Sequence, residues 1–150
     1  MAPAGRAVAD AGDRAVSVAL DHAGLNVADL DAGIAFYGRA LGFEVEFPFE
    51  LGVDGIRGAM LRLPTGGRLE LFERPGAAPG PAPESPIAAL AARGYGHVAV
   101  SAPDIDALFA RAIEAGATEK LSPRPSPEPG VRFAFVADPE GNLVELVERR

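Results

Sequence analysis

Apolar and polar positions along the chain follow two periods, and the same order of periods occurs twice. Residues 17–27, SVALDHAGLNV, and residues 95–102, YGHVAVSA, are short, rich in Val, Ala and Leu, and read as strands. Each is followed by an Asp suited to cap a helix, Asp29 and Asp104. Helical spacing comes next: Leu30, Ile34, Tyr37 and Leu41 in the first half, then Ile105, Leu108 or Phe109, and Ala112 in the second. Gly42 and Gly116 predict the helix stops. Three more strands fit in each half, near 43–49, 56–63 and 68–73, and near 118–122, 131–137 and 142–148. LPTGG and DPEGN read as tight turns before the last strand of each half.

The two halves share one register, 75 positions apart. His22 falls on His97. Asp29 and Asp31 fall on Asp104 and Asp106, Arg57 on Arg132, Glu70 on Glu145 and Glu73 on Glu148. The chain has only 2 His, and each is the other's partner. Each half is therefore a βαβββ module. The predicted fold is α+β: two tandem βαβββ modules, 17–74 and 94–148, forming a cupped mixed β-sheet around a cleft, with the helices outside. Together they make a single domain, 17–148. The connector 75–93 is Pro-rich. In it Ser85 can cap a short helix with Pro86 in its first turn and IAALAAR as its body. Residues 1–16 read as a disordered tail.

Composition adds exclusions. A chain of 150 residues, 48% hydrophobic and 23% charged, can bury a core without covalent staples. A net charge of −7 argues against nucleic acid or an anionic membrane as partner. No Cys is present, so disulfides and thiolate metal sites are excluded. There is no apolar leader segment and no long hydrophobic span, and a cytoplasmic protein is expected.

Strand alternation then sorts the chemistry. Leu69 and Leu71 oppose Glu70 and Phe72; Val144 and Leu146 oppose Glu145 and Val147; His22 opposes Ala23, Leu25 and Val27 on the other face in its strand; Tyr95 and His97 oppose Val98 and Val100. With the aliphatic faces under the helices, His22, Glu70, His97 and Glu145 project into the cleft. A carboxylate there is costly unless compensated. Two carboxylates and two imidazoles are compensated economically by one divalent metal ion, and the donor set admits Ni, Co, Zn, Fe or Mn. Phe72 and Val147 are candidate cleft walls, and Tyr95 is a candidate pocket residue. Arg57 and Arg132 are either anion-binding groups for a substrate or strand residues held in ion pairs. Glu73 and Glu148 read as solvated strand-end charges.

The segments LDHAGLNVADLDAGIAFYGRALGFEV, GRLELFE, GYGHVAVSAPDIDAL and FVADPEGNLVELVE resemble the vicinal oxygen chelate superfamily, the glyoxalase, bleomycin-resistance and extradiol-dioxygenase group. The resemblance covers about residues 17–148 and implies metal ligation by His22, Glu70, His97 and Glu145. The His, Glu, His, Glu pattern is similar to that of glyoxalase I. This implies a metal-dependent lyase or isomerase acting on a small oxygenated substrate through an enediolate or enolate, with Glu145, or Glu70 as alternate, as the base. Residues 84–97, ESPIAALAARGYGH, also resemble methylmalonyl-CoA epimerase, but neither Glu50 nor Asp54 stands in register with the second catalytic Glu of that enzyme. Extradiol dioxygenases carry a smaller ligand set and a further His that this chain lacks. Bleomycin-resistance members bind a drug without turnover and form the third alternative. The resemblance also implies a homodimer, with the site either within one chain or across the interface.

Overall fold

The computed structural model describes residues 17–150, and the tail expected at 1–16 lies outside the described residues. The first module consists of strand β1 (Ala23–Val27), helix α1 (Leu30–Leu41), and strands β2 (Glu44–Glu50), β3 (Arg57–Arg62) and β4 (Arg68–Glu73). A short helix α2 (Pro86–Ala89) interrupts the connector. The second module repeats the order with β5 (Val98–Ser101), α3 (Ile105–Glu114), β6 (Thr118–Pro125), β7 (Val131–Ala137) and β8 (Leu143–Arg149). Each module forms its own four-stranded mixed sheet, ordered β1-β4-β3-β2 and β5-β8-β7-β6. Within each, the outer strand β1 or β5 runs parallel to the last strand, and the other pairings are antiparallel. Among the described residues no ladder joins the two sheets.

Both helices begin as the sequence requires. Asp29 accepts from the Ala32 N–H at 2.9 Å and Asp104 from the Ala107 N–H at 3.0 Å, satisfying a first-turn donor in each case. Gly42 ends α1 at φ 83°, a left-handed position that glycine takes without strain. Ser85 caps α2 as expected, but that helix stops at Ala89, short of the predicted body. The first strand of each module is also shorter than predicted. His22 and His97 each stand one residue before it, and Tyr95 lies in the irregular segment between the bend at Gly94 and β5.

A second device at each helix start was not anticipated. Glu73 Oε2 accepts from the Leu30 N–H at 2.7 Å and from Arg57 at 2.9 Å. Glu148 Oε2 accepts from the Ile105 N–H at 3.2 Å, and Glu148 is held by Arg132 and Arg150 as well. The last strand of each module is thereby tied to the first turn of its helix, where the helix dipole also favours an anion. Glu148 is only 4% exposed, which corrects the reading of these two glutamates as solvated strand ends. A carboxylate so buried is retained because all its demands are met.

The core is continuous beneath both modules. Leu30, Phe36, Tyr37 and Leu41 of α1 and Ile105, Leu108 and Ala112 of α3 pack with Ala59, Leu61, Leu69 and Leu71 of the first sheet. Ala134, Val136, Val144 and Leu146 of the second sheet complete it. Helix α1 lies against α3, and polar bonds reinforce the contact. Arg111 Nε donates to the Ala40 carbonyl at 2.8 Å. The buried Tyr37 hydroxyl donates to Asp138 Oδ2 at 2.9 Å. Asp138, in the turn DPEGN, also accepts from the Glu140 and Asn142 N–H groups and the Asn142 amide. Glu140 reaches back to the Ala28 N–H at 2.8 Å. Burial first, and then the Asp138 carboxylate, pushes the Tyr37 phenol above its ordinary pKa.

Two outcomes follow from these contacts. Tyr37→Phe removes one of four donors to a buried carboxylate and should cost about 2 kcal/mol in urea unfolding; an unchanged midpoint would show that this bond does not tie the modules together. The Leu30 N–H with Arg57, and Arg150 with the Ile105 N–H, hold Glu73 and Glu148 below the ordinary glutamate value of 4.5. Groups depressed on folding contribute stability above their unfolded pKa and lose it as pH falls through the folded value. Stability should therefore decline on acidification below about pH 4.5. Glu73→Gln with Glu148→Gln should be less stable at neutral pH and show a flatter acid limb. Parallel acid limbs in the two proteins would rule this origin out.

Candidate metal centre

On the face away from the helices, each sheet presents a His–Glu pair. His22 Nε2 stands 3.2 Å from Glu70 Oε2, and His97 Nε2 stands 3.2 Å from Glu145 Oε2. Local structure explains the match. Glu70 and Glu145 are each the third residue of their strand, β4 and β8, paired across from Gly24 and Ala99, and each His precedes the neighbouring parallel strand by one residue. All four side chains are part-exposed, from 21% for Glu70 to 43% for His97.

The two pairs have different surroundings. Asp21 Oδ2 lies 2.7 Å from His22 Nδ1, and this carboxylate, followed in effect by Glu70, raises the pKa of His22 above its ordinary value. His97 instead packs edge-on against Phe135, with ring centroids 5.1 Å apart. Aromatic walls flank both pairs. Phe72 meets Phe49 at 5.4 Å, and Phe133 meets Phe135 at 6.1 Å. A side chain at Gly58 would collide with the Phe49 ring, so this glycine makes room for the first wall. Sequence reasoning found Phe72 but missed Phe49, Phe133 and Phe135. The alternation in VRFAFVA carried the signal, because Phe135 pairs with Glu145 and Phe133 with Val147.

The remaining site expectations separate. Arg57 is held by Glu73 and by Asp31 at 3.5 Å, and Arg132 by Glu148 and by Asp106 at 2.7 Å, so both occupy the ion-pair arrangement. Tyr95 is fully exposed, and the strand that was to aim it begins only at Val98. Asp54 is paired to Arg74 at 2.7 Å. Val147 is half-buried on β8, on the same side as Glu145. Between the modules, a groove of about 560 Å³ is lined by His22, Arg68, Phe43, Val98 to Pro103 and Arg149.

The four expected ligands do not form one cluster in a single chain. Among the described residues, the one group of three potential ligands within 4.8 Å of one another is Asp104, Asp106 and Glu148. That group is already compensated by Arg132 and Arg150. The His–Glu pairs fit a cation better. Their 3.2 Å separation is the spacing two donors take on one ion with bonds of about 2.1 Å. Imidazole with carboxylate suits a first-row divalent metal.

Comparison with known proteins gives the family of the chain. Over 140 residues the chain is 26% identical to a protein named "Probable lactoylglutathione lyase" from Vibrio cholerae, covering 86% of this chain and 89% of that one. Among solved structures, the trypanothione-dependent glyoxalase I of Leishmania major superposes with a TM-score of 0.66 at 26% identity, covering 88% of this chain and 87% of that one. Glyoxalase I from Zea mays superposes with a TM-score of 0.71 at 24% identity and shows the shared fold; the chain spans 86% of itself but only 44% of the maize protein. Residues 19–146 match the family model as a whole, and the chain belongs to the Glyoxalase/Bleomycin resistance protein/Dioxygenase superfamily.

Proposed function

We propose that the protein is a metal-dependent lyase or isomerase of the glyoxalase I type, acting on the hemithioacetal of a small 2-oxoaldehyde and a thiol. The observation that carries this reading is the repetition of one His–Glu spacing on the same face of both modules, beside aromatic walls. His22, Glu70, His97 and Glu145 would hold one divalent ion. When bound, that ion supplies a Lewis acid for the substrate oxygens.

The chain's own groups carry the rest. Oε2 of Glu145 is engaged by His97, and the other carboxylate oxygen takes the proton from the carbon bearing hydroxyl and sulfur. The same carboxyl returns it to the adjacent former carbonyl carbon, the hydroxyl proton passes from the sulfur-bearing carbon's oxygen to the former carbonyl oxygen, and a 2-hydroxy thioester is left. Glu70, in the matching position on the other module, is the alternate base. A base held beside the substrate contributes typically a 10²- to 10⁴-fold rate factor. Phe49, Phe72, Phe133 and Phe135 exclude water and pack the apolar part of the substrate.

The site is completed by a second copy of the chain. In one copy the pairs stay apart and face outward, and one module from each of two copies would bring a His22–Glu70 pair to a His97–Glu145 pair. Exposed Phe47, Leu51, Ile87, Leu90 and Tyr95 offer apolar surface for such an assembly.

Glu145→Gln should keep the fold and bind one metal equivalent per site, yet lower kcat on the methylglyoxal–glutathione hemithioacetal by at least about a hundredfold. Unchanged turnover would remove Glu145 from the role. His22→Ala and His97→Ala chains should each be inactive alone. Unfolded and refolded together, they should regain about a quarter of wild-type activity, because half the dimers are mixed and hold one intact site each. No recovery from folded mixed dimers would sink the shared site.

A further inference from the structure

The two modules support their histidines by different means, and the difference is systematic. In the first, a chain of charged groups runs away from His22. Asp21 Oδ2 contacts His22 Nδ1 at 2.7 Å. Arg68 Nη1 donates to the same Asp21 oxygen at 3.2 Å, and Arg68 Nε donates to Glu46 Oε2 at 2.8 Å. Glu46 stands where the β2–β3 register shifts between Val45 and Phe47, and such a bulge re-aims a side chain. The corresponding positions of the second module are Gly96 for Asp21, Leu143 for Arg68 and Leu121 for Glu46. Leu121 and Leu143 pack with Phe135 in an apolar cluster, and the His97 ring rests on Phe135. Among the described residues, His97 Nδ1 has no partner comparable to Asp21.

We propose that Asp21, clamped by Arg68 and Glu46, is a positioning residue that holds the proton of His22 on Nδ1 and so presents the Nε2 lone pair for ligation beside Glu70. His97 has only an apolar support, so the two halves of the ligand set grip a cation unequally. The ligation half of this proposal rests on the metal-centre reading above; the orientation of the ring does not. A carboxylate on the outer nitrogen fixes the tautomer and strengthens the ligand, and loss of such a partner typically weakens metal affinity 10- to 100-fold. Free imidazole favours the opposite tautomer, so the effect of Asp21 on the ring is directly visible.

Two measurements on the full chain test this. First, nitrogen NMR of the metal-free protein, at a pH where both rings are neutral, reads each tautomer. His22 should carry its proton on Nδ1 in the wild type and lose that preference in Asp21→Ala, with His97 unchanged. Second, Ni²⁺ titration should show Asp21→Ala binding about 10- to 100-fold more weakly than wild type. Asp21→Asn, which keeps an acceptor oxygen without the charge, should recover part of the loss. Gly96→Asp, at a position with open space for a side chain, should tighten binding through His97. A His22 tautomer unchanged in Asp21→Ala overturns the positioning role. Nickel affinity within twofold of wild type, when His22→Ala abolishes binding, overturns its effect on ligation. If wild-type protein binds no Ni²⁺, the metal-centre reading falls along with the ligation claim, and the tautomer result still decides the positioning claim.

Discussion

The packing of α1 against α3 sets everything else in this molecule. Each helix covers the aliphatic face of its own sheet, and the two helices then share one core. Once both aliphatic faces are buried in that way, the opposite faces, with the histidines and glutamates, must look outward. The contact is sealed by bonds from one module to the other: Tyr37 to Asp138, Glu140 to Ala28 and Arg111 to Ala40. Helix-to-helix contact alone would tolerate some sliding. Directional bonds to a buried carboxylate restrict the arrangement much further.

These cross-module bonds break the repeat. Asp138 and Glu140 stand in register with Leu63 and Thr65, which cannot make the same contacts, and Tyr37 stands in register with Ala112. The turn of the second module bonds to the first module through Tyr37 and Ala28, and among the described residues no reciprocal hydrogen bond runs from the turn of the first module to the second. The supports of the two histidines are likewise unequal, one charged and one apolar. What both modules keep is the geometry within each sheet: the capping Asp, the Glu that binds the first helical N–H, its Arg partner and the His–Glu pair at 3.2 Å. Two modules can therefore share a backbone plan while one specialises in docking and the other in presenting an anchored imidazole.

Residues whose role depends on near neighbours were legible in the sequence. Asp29, Asp104, Ser85 and Gly42 act within one helical turn, and each does what its type and position imply. The strands of the antiparallel parts also fall within a few residues of their expected limits, because alternation is a local signal. Errors gathered where a partner lies far along the chain. Glu73 and Glu148 looked like solvated ends because nothing nearby in sequence announces a helix N–H 43 residues away. Tyr95 was assigned a face by alternation in a strand that does not reach it. Arg57 and Arg132 could be ligand-binding or structural until their carboxylate partners were seen.

The sequence by itself determined the doubling of a βαβββ unit, the caps that start its helices, and the presence of one His and one Glu at matching positions of each half. These are consequences of period, register and short-range hydrogen bonding, all of which are written in neighbouring residues. Only the tertiary structure decided that the two pairs stand apart in one chain, that Glu73 and Glu148 are locked at helix starts, and that Asp21 backs His22 while Phe135 backs His97. The reason is physical. How two sheets are set relative to one another depends on the burial of faces built from the whole chain, and no short stretch of residues carries that information.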